Sequence, residues 1–333
     1  MTPEMINQGP ILVTGAAGFV GRHLLPMLQT TFPECTLIAT ARAGGPGLRA
    51  LDVTESGAVA ALIEEVRPTA CVHLAGISAI ALARRSPTRA WRVNLHGTLC
   101  LAHAIMEHSP ECLFLFISSA DIYGRSFDAS PALDEAALLA PLNTYAVTKA
   151  AADLAIGALA EEGLRAIRVR PFNHTGPGQP DAFVVASFAR QIARIKIGLQ
   201  EPRIVVGALD SFRDFLNVHD VCAAYIAALR CSANLASGMI FNIASGVPRR
   251  IGDILTDLLT LADVAVEIRV EGARLRRAEI PRACGNAERA RSLLSWTPTV
   301  PWRETLVAVL ADWERRIRTV EWAEGDRRPR RPV

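Results

Sequence analysis

Tyr145 and Lys149 stand four residues apart in Tyr145-Ala-Val-Thr-Lys149, inside an alanine-rich run from Asn143 to Ala160. On a helix that spacing sends the phenol and the ammonium out of one face. A free tyrosine, with a pKa of about 10, is a poor acid-base group at neutral pH. A fixed positive charge near its oxygen would favour the phenolate and draw that pKa toward the working range. The chain has three tyrosines, and of its 36 basic residues only Lys149 and Lys196 are lysines. A lysine kept where the rest of the chain writes arginine argues for a compact, titratable charge that a guanidinium cannot supply.

These two side chains need elements to position them. Leu113 to Ile117 reads as a buried strand and delivers Ser118-Ser119-Ala120-Asp121 at its C-terminal end. In a parallel doubly wound sheet that edge is where ligands bind. Ser119 can set a hydroxyl beside the oxygen that Tyr145 would protonate. Asp121 is either a further acid-base group or a polar residue that orients the serine turn. Another strand signal, Ile11-Leu12-Val13, is followed at once by Thr14-Gly15-Ala-Ala-Gly18-Phe19-Val20-Gly21-Arg22. A glycine-rich turn between strand and helix offers bare amides and a helix N-terminus to a pyrophosphate. The spacing, G-x-x-G-x-x-G, has one residue more in its first gap than the G-x-G-x-x-G dinucleotide fingerprint.

The second strand, Thr36 to Thr40, ends at Ala41-Arg42. An acid near this point would hold a ribose 2′-hydroxyl, whereas an arginine suits a 2′-phosphate. No acid comes until Asp52, while Arg42 is in place and Arg22 opens the helix nearby. The expected cofactor is therefore NADP(H), with NAD(H) possible. Asp52 and Val53 would lie along the adenine. Ala70 to Leu74 is the fourth strand and closes on Leu74-Ala75-Gly76, small residues that admit a cofactor close to the backbone. Arg89 to His108 reads as a helix carrying Asn94 on an apolar face, as either a cofactor contact or a buried, satisfied amide.

Strand and helix alternate through Ile167-Arg-Val-Arg170, which gives an α/β chain with a doubly wound parallel sheet, a Rossmann fold. The Pro/Gly-rich stretch that follows Arg170 marks a domain boundary. The expected division is residues 1–171 and 214–245 for the dinucleotide-binding domain, and 172–213 and 246–322 for a smaller, discontinuous C-terminal α/β domain that holds the substrate. Residues 323–333 form a basic tail, expected to be disordered.

Half of the 333 residues are hydrophobic, 21% are charged and the net charge is +3, which describes an ordinary globular protein with no call for nucleic acid. No apolar run reaches the length of a membrane span, and Met1 to Pro10 lacks a signal core. Seven cysteines, an odd number without C-x-x-C spacing, read as reduced core residues of a cytoplasmic protein, with neither a disulfide framework nor a metal site.

The glycine turn, Asn94-Leu-His-Gly97-Thr98, Ser118-Ser119 with Tyr123-Gly124, and Tyr145-x-x-x-Lys149 together resemble the extended short-chain dehydrogenase/reductase superfamily (NAD-dependent epimerases and dehydratases) over nearly the whole chain. The resemblance implies a nucleotide-sugar substrate and a homodimer through the helices around Asn94 and Tyr145. It implies diphosphate contacts for Asn173, Arg213 and Arg276, and places Phe183, Lys196, Arg203 and Glu279 in the same substrate pocket. Arginine forks fit a diphosphate, and a glutamate can hold ribose hydroxyls or a base edge. Dehydratases of this superfamily place an acid and a base between the active-site serine or threonine and the next tyrosine. Here those places hold Ala120, which has no proton to give, and Asp121, so 4,6-dehydration is disfavoured. The run from Arg170 to Gln179, continuing to Arg213-Asp214-Phe215, is similar to the 4-keto reductases of GDP-6-deoxyhexoses. The implied reaction is reduction at C4 of GDP-4-dehydro-6-deoxy-D-mannose to GDP-D-rhamnose; a 4-epimerase or 4,6-dehydratase is the alternative.

Overall fold

The computed structural model describes residues 9–272 and 280–325, with side chains through 319. In chain order the elements are β1 (Ile11–Thr14), α1 (Phe19–Thr31), β2 (Leu37–Ala41), β3 (Arg49–Ala50), α2 (Ser56–Val66), β4 (Ala70–His73), α3 (Ile80–Arg85), α4 (Pro87–Trp91), α5 (Gly97–His108), β5 (Leu113–Ile117), α6 (Thr144–Glu161), β6 (Ala166–Pro171) and β7 (Asn173–Thr175). They continue as α7 (Val184–Lys196), β8 (Arg203–Val206), β9 (Phe212–Asn217), α8 (Val218–Cys231), β10 (Met239–Ile243), β11 (Pro248–Arg250), α9 (Ile251–Ala262), β12 (Glu267–Val270), β13 (Arg282–Ala283), α10 (Glu288–Leu294) and α11 (Trp302–Gly325).

Two compact units emerge. The first holds the chain up to His174, then Asp214–Pro248 and Arg282–Thr299; the second holds Thr175–Arg213, Arg249–Pro281 and the chain from Val300 onward. The sequence assigned 172–213 and 246–322 to the second domain; residues 172–174, 246–248 and, as the one long stretch, 282–299 lie in the first unit. Trp296 and Thr299 explain why: the indole Nε1 donates to the Asp220 carbonyl at 2.9 Å, and the Thr299 amide donates to the Asp220 carboxylate at 2.8 Å. With Trp296 buried, α10 is fastened to α8 of the first unit. Residues 323–325, expected in a disordered tail, continue α11, and 326–333 lie outside the described residues.

The first unit is built on a seven-stranded sheet of order β10-β6-β5-β4-β1-β2-β3. Every pairing resolved in it is parallel, as continuous apolar runs such as Leu113–Ile117 require when helices cover both faces. Strand order reverses at β1, which lies between β2 and β4, so the crevice at the C-terminal ends of β1 and β4 is the topological switch point. Helix α6 forms because its interior is dominated by alanine, and because the Asn143 side chain accepts from the Ala146 amide at 3.0 Å. Such an N-cap contributes about 1 kcal/mol. The helix expected over Arg89–His108 is interrupted: α4 and α5 are joined by one π turn, Arg92–His96, with Asn94 at its centre.

The second unit packs α7, α9 and α11 and carries the two-stranded parallel pair β8–β12. Buried Asp312 of α11 accepts from the Gly178 amide at 2.7 Å, fixing the Pro/Gly-rich stretch that opens this unit. No described helix is long and apolar enough to cross a membrane.

Candidate active site

The glycine turn is shaped by what a side chain would strike. Gly15 sits at φ +69°, and a Cβ there would lie 2.6 Å from the Ala75 amide nitrogen, so β1 and β4 leave no room for one. At Gly21 a Cβ would reach 2.4 Å from the Ala16 carbonyl, which lets α1 start hard against the turn. Gly18 caps α1 in extended conformation, and Phe19, Val20 and Arg22 follow in its first turn. Arg42 is exposed directly after β2. Asp52, the first acid after it in the chain, spends Oδ1 on the amide and hydroxyl of Thr54 at 3.0 and 2.8 Å. Those bonds first, then the charges of Arg42 and Arg92, hold its carboxyl below the ordinary range. Val53 packs against Gly97, where a Cβ would lie 2.7 Å from its methyl group.

The Asn94 side chain is hydrogen-bonded within the protein. Its Oδ1 accepts from the Ile77 amide at 2.8 Å, and its Nδ2 donates to the Ile77 carbonyl at 3.1 Å and to Thr148 Oγ1 at 2.9 Å. With the residue 1% exposed, the amide is spent on holding the Leu74-Ala75-Gly76 segment to α6. Of the two sequence readings, the satisfied amide is the one realised.

At the end of β5, Ser119 Oγ accepts from the Asp121 amide at 3.2 Å and is hydrogen-bonded to the Tyr145 phenol. Burial, and then the Asp121 carboxylate, push the phenol above its ordinary pKa, and the Ser119 bond opposes them. The expectation that Lys149 draws Tyr145 downward is therefore not met. The reason is geometric: the Lys149 ammonium donates to the Ile117 carbonyl and lies 4.4 Å from the centroid of the Phe116 ring. Burial brings Lys149 down to about 7, against a smaller upward pull from Asp153.

One turn beyond Lys149 lies a network that the sequence did not reveal. Arg170 grips Asp153 with two bonds, Nε to Oδ2 at 3.0 Å and Nη2 to Oδ1 at 2.8 Å. Its Nη1 donates to the Tyr123 hydroxyl at 3.0 Å, which donates to Asn242 at 2.7 Å. Arg168 adds a third bond to Asp153 Oδ1 at 3.2 Å. Burial alone would raise the Asp153 carboxyl, but Arg170 outweighs it and holds the group below the ordinary range. The four-residue spacing of Tyr145, Lys149 and Asp153 was the available signal, since it places all three on one face of α6.

The residues expected at the substrate fall apart by unit. Asn173 is exposed at the start of β7 in the first unit. Phe183 caps α7 in the second, where Arg213 donates to the Phe212 carbonyl at 2.7 Å. Lys196 and Arg203 are committed to carboxylates at the surface, Lys196 to Glu314 at 2.6 Å and Arg203 to Glu267 at 2.8 Å. Long cations beside exposed acids on α11 and β12 find such partners, which leaves both as surface ion pairs. Arg276 and Glu279 lie outside the described residues.

Comparison with known proteins gives a consistent picture. The chain is 40% identical over 309 residues to GDP-6-deoxy-D-mannose reductase of Pseudomonas aeruginosa, covering 92% of this chain and 98% of that one. It is 27% identical over 286 residues to GDP-6-deoxy-D-talose 4-dehydrogenase of Aggregatibacter actinomycetemcomitans, covering 85% and 90%. The solved structure of RMD from Pseudomonas aeruginosa complexed with NADPH superposes with a TM-score of 0.83 at 38% identity, over 93% of this chain and 100% of that one. Residues 11–244, which span β1 through β10, match the NAD dependent epimerase/dehydratase family over more than half of the chain, and the chain belongs to that family.

Proposed function

We propose that the chain is an NADPH-dependent reductase of the C4 ketone of GDP-4-dehydro-6-deoxy-D-mannose, giving GDP-D-rhamnose. The observation that carries this reading is a desolvated, protonated phenol, Tyr145, hydrogen-bonded to Ser119 at the ligand-binding edge of the sheet. The identity to a GDP-6-deoxy-D-mannose reductase supports the substrate. The structure that binds NADPH supports the cofactor.

The cofactor's fit rests on this chain's own residues. A turn too tight for any Cβ at Gly15 and Gly21 leaves bare backbone at the N-terminus of α1 for a pyrophosphate. Arg22 and Arg42, both exposed at the surface, suit a 2′-phosphate, and Asp52, the acid that could have taken a 2′-hydroxyl, turns its Oδ1 to Thr54. When bound, the reduced nicotinamide supplies the hydride to C4. Tyr145 donates its proton to the forming alkoxide, and its raised pKa keeps that proton in place until the oxygen becomes basic. Ser119 holds the same oxygen by hydrogen bond. Lys149, one turn from Tyr145 and braced on the Ile117 carbonyl, is assigned to the nicotinamide ribose as a hydrogen-bond donor. Ala120 is buried with no proton to give, which argues against elimination of a 6-hydroxyl. Asn173, Phe183 and Arg213 are assigned to the nucleotide sugar.

We assign a homodimer through α5 and α6. Leu154 stands 60% exposed on α6, an apolar side chain flanked on the helix's outer face by Ala151, Ala155 and Ala158. A cytoplasmic location is favoured by the cysteines, none of them in a disulfide among the described residues and all but Cys231 buried.

The decisive experiment gives purified protein GDP-4-dehydro-6-deoxy-D-mannose and NADPH, follows nicotinamide absorbance and identifies the product by NMR. Stoichiometric NADPH oxidation with a rhamno-configured product is expected. Unchanged absorbance, with interconversion of two nucleotide sugars on tightly held cofactor, would replace this reading with the epimerase one.

A further inference from the structure

His73 is a buried titratable group without a part in the chemistry above. The register of the sheet sets Thr14 of β1 opposite His73 of β4, and His73 opposite Phe116 of β5. The ring is 1% exposed and stacks between neighbours, 5.8 Å from Phe114 and 6.3 Å from Phe116. Both ring nitrogens are bonded: Nδ1 lies 2.7 Å from Thr14 Oγ1, and Nε2 lies 3.0 Å from Thr98 Oγ1.

The partners decide which nitrogen carries the proton. Thr98 has one hydroxyl proton, and it goes to the Asn94 carbonyl at 2.7 Å. Thr98 Oγ1 must therefore accept from His73, so Nε2 is protonated. In the neutral ring Nδ1 is then bare and accepts from the Thr14 hydroxyl, whose oxygen accepts in turn from the Ala75 amide at 3.3 Å. Burial, and then the charge of Lys149, hold the imidazole down to about 3, so it stays neutral wherever the protein is folded. From Asn94 the path continues through its side chain to Thr148 at 2.9 Å, and from Thr148 to the Tyr145 carbonyl at 2.8 Å.

We infer that His73 is a positioning residue whose single Nε2–H tautomer ties the glycine turn after β1 to the helix that carries Tyr145. It touches no reacting atom. Its donor side fixes the π turn through Thr98 and Asn94, and its acceptor side fixes Thr14 and, through it, the Ala75 amide just past β4. Two segments that must meet one cofactor are thereby held by one ring. The inference rests on the dinucleotide reading of the turn, but the tautomer does not.

The test has two parts. Ring ¹⁵N shifts of the full-length protein, with and without NADPH, should show His73 protonated on Nε2 and unchanged from about pH 6 to 8. A proton on Nδ1, or a titration in that range, overturns the assignment whatever the enzyme catalyses. The second part reads NADPH affinity by fluorescence. H73F fills the volume without donor or acceptor and should weaken binding on the order of tenfold, whereas H73Q, which keeps one of each, should recover most of it. T98V, which lies off the turn, should weaken NADPH binding several-fold, and T14V/T98V should bind no worse than the weaker single variant. Wild-type affinity in T98V, or additive effects in the double variant, would sink the coupling even if H73F failed to fold. A wild-type chain that bound no NADPH would sink the cofactor reading and the coupling with it, and the ring shifts would then decide the tautomer on its own.

Discussion

Helix α6 carries two polar clusters two turns apart, built to opposite rules. Around Asp153 the groups satisfy one another: a carboxylate with no exposed side-chain surface, a guanidinium at 3%, and a second phenol, Tyr123, clamped between Arg170 and Asn242. Around Tyr145 burial and then Asp121 disfavour ionisation of the phenol, against a weaker pull from Ser119, and the one cation of the helix turns away to a carbonyl. Tyr123 and Tyr145 are both raised by burial, Tyr123 to about 12, yet one is locked in place and the other faces the ligand edge. Saturated hydrogen bonding makes an anchor; a partly buried group left able to give up its proton makes a reagent.

Removing the reagent should have the largest effect. Tyr145→Phe is expected to lower kcat/KM for the keto sugar by about 10³-fold, with thermal stability almost unchanged, since one proton donor is lost and the ring still fills its place. Stopped-flow NADPH oxidation and a melting curve read both halves; a large loss of stability would make Tyr145 a second anchor.

The reverse pattern is expected for Asp153→Asn. Breaking one partner of a buried pair leaves Arg170 uncompensated and should cost about 3–5 kcal/mol in denaturant unfolding. Because the folded carboxyl lies below its ordinary range, its contribution is full above that range and fades as pH falls through the lowered value. The acid-side slope of stability should flatten in the variant.

Lys149→Met separates the two rules at one residue. The rate should fall by about 10²-fold, as a donor that positions the nicotinamide ribose is lost, while stability should rise near pH 6. The sign follows from the folded amine at about 7 and an unfolded one near 10.4: between them the unfolded chain binds more protons, so this group's contribution improves as pH rises. The gain from methionine should therefore shrink toward pH 10, and a gain that grew instead would contradict the buried-amine account.

The smallest effect belongs to the second unit. Lys196→Ala removes an exposed partner of Glu314 and should change stability by less than about 1 kcal/mol. A large rise in KM for the nucleotide sugar would return Lys196 to the pocket expected from the sequence.

The sequence by itself determined whatever depends on local spacing and residue type. The glycines of the first turn, the apolar strands, the Ser119 placement after β5 and the helix bearing Tyr145 and Lys149 are all local, because 3.6-residue and two-residue periods fix which way side chains point. Only the tertiary structure decided what each polar group spends its bonds on. Asn94 was equally consistent with ligand or core until Ile77 and Thr148, 17 and 54 residues away, claimed its amide. Arg170 and Asp153, 17 apart, looked like ordinary charges until burial paired them. The return of 282–299 to the first unit hung on Trp296 finding Asp220, and the upward shift of Tyr145 on desolvation and Asp121. Hydrogen-bond partners and dielectric are properties of neighbours distant in the chain, and spacing along the chain does not encode them.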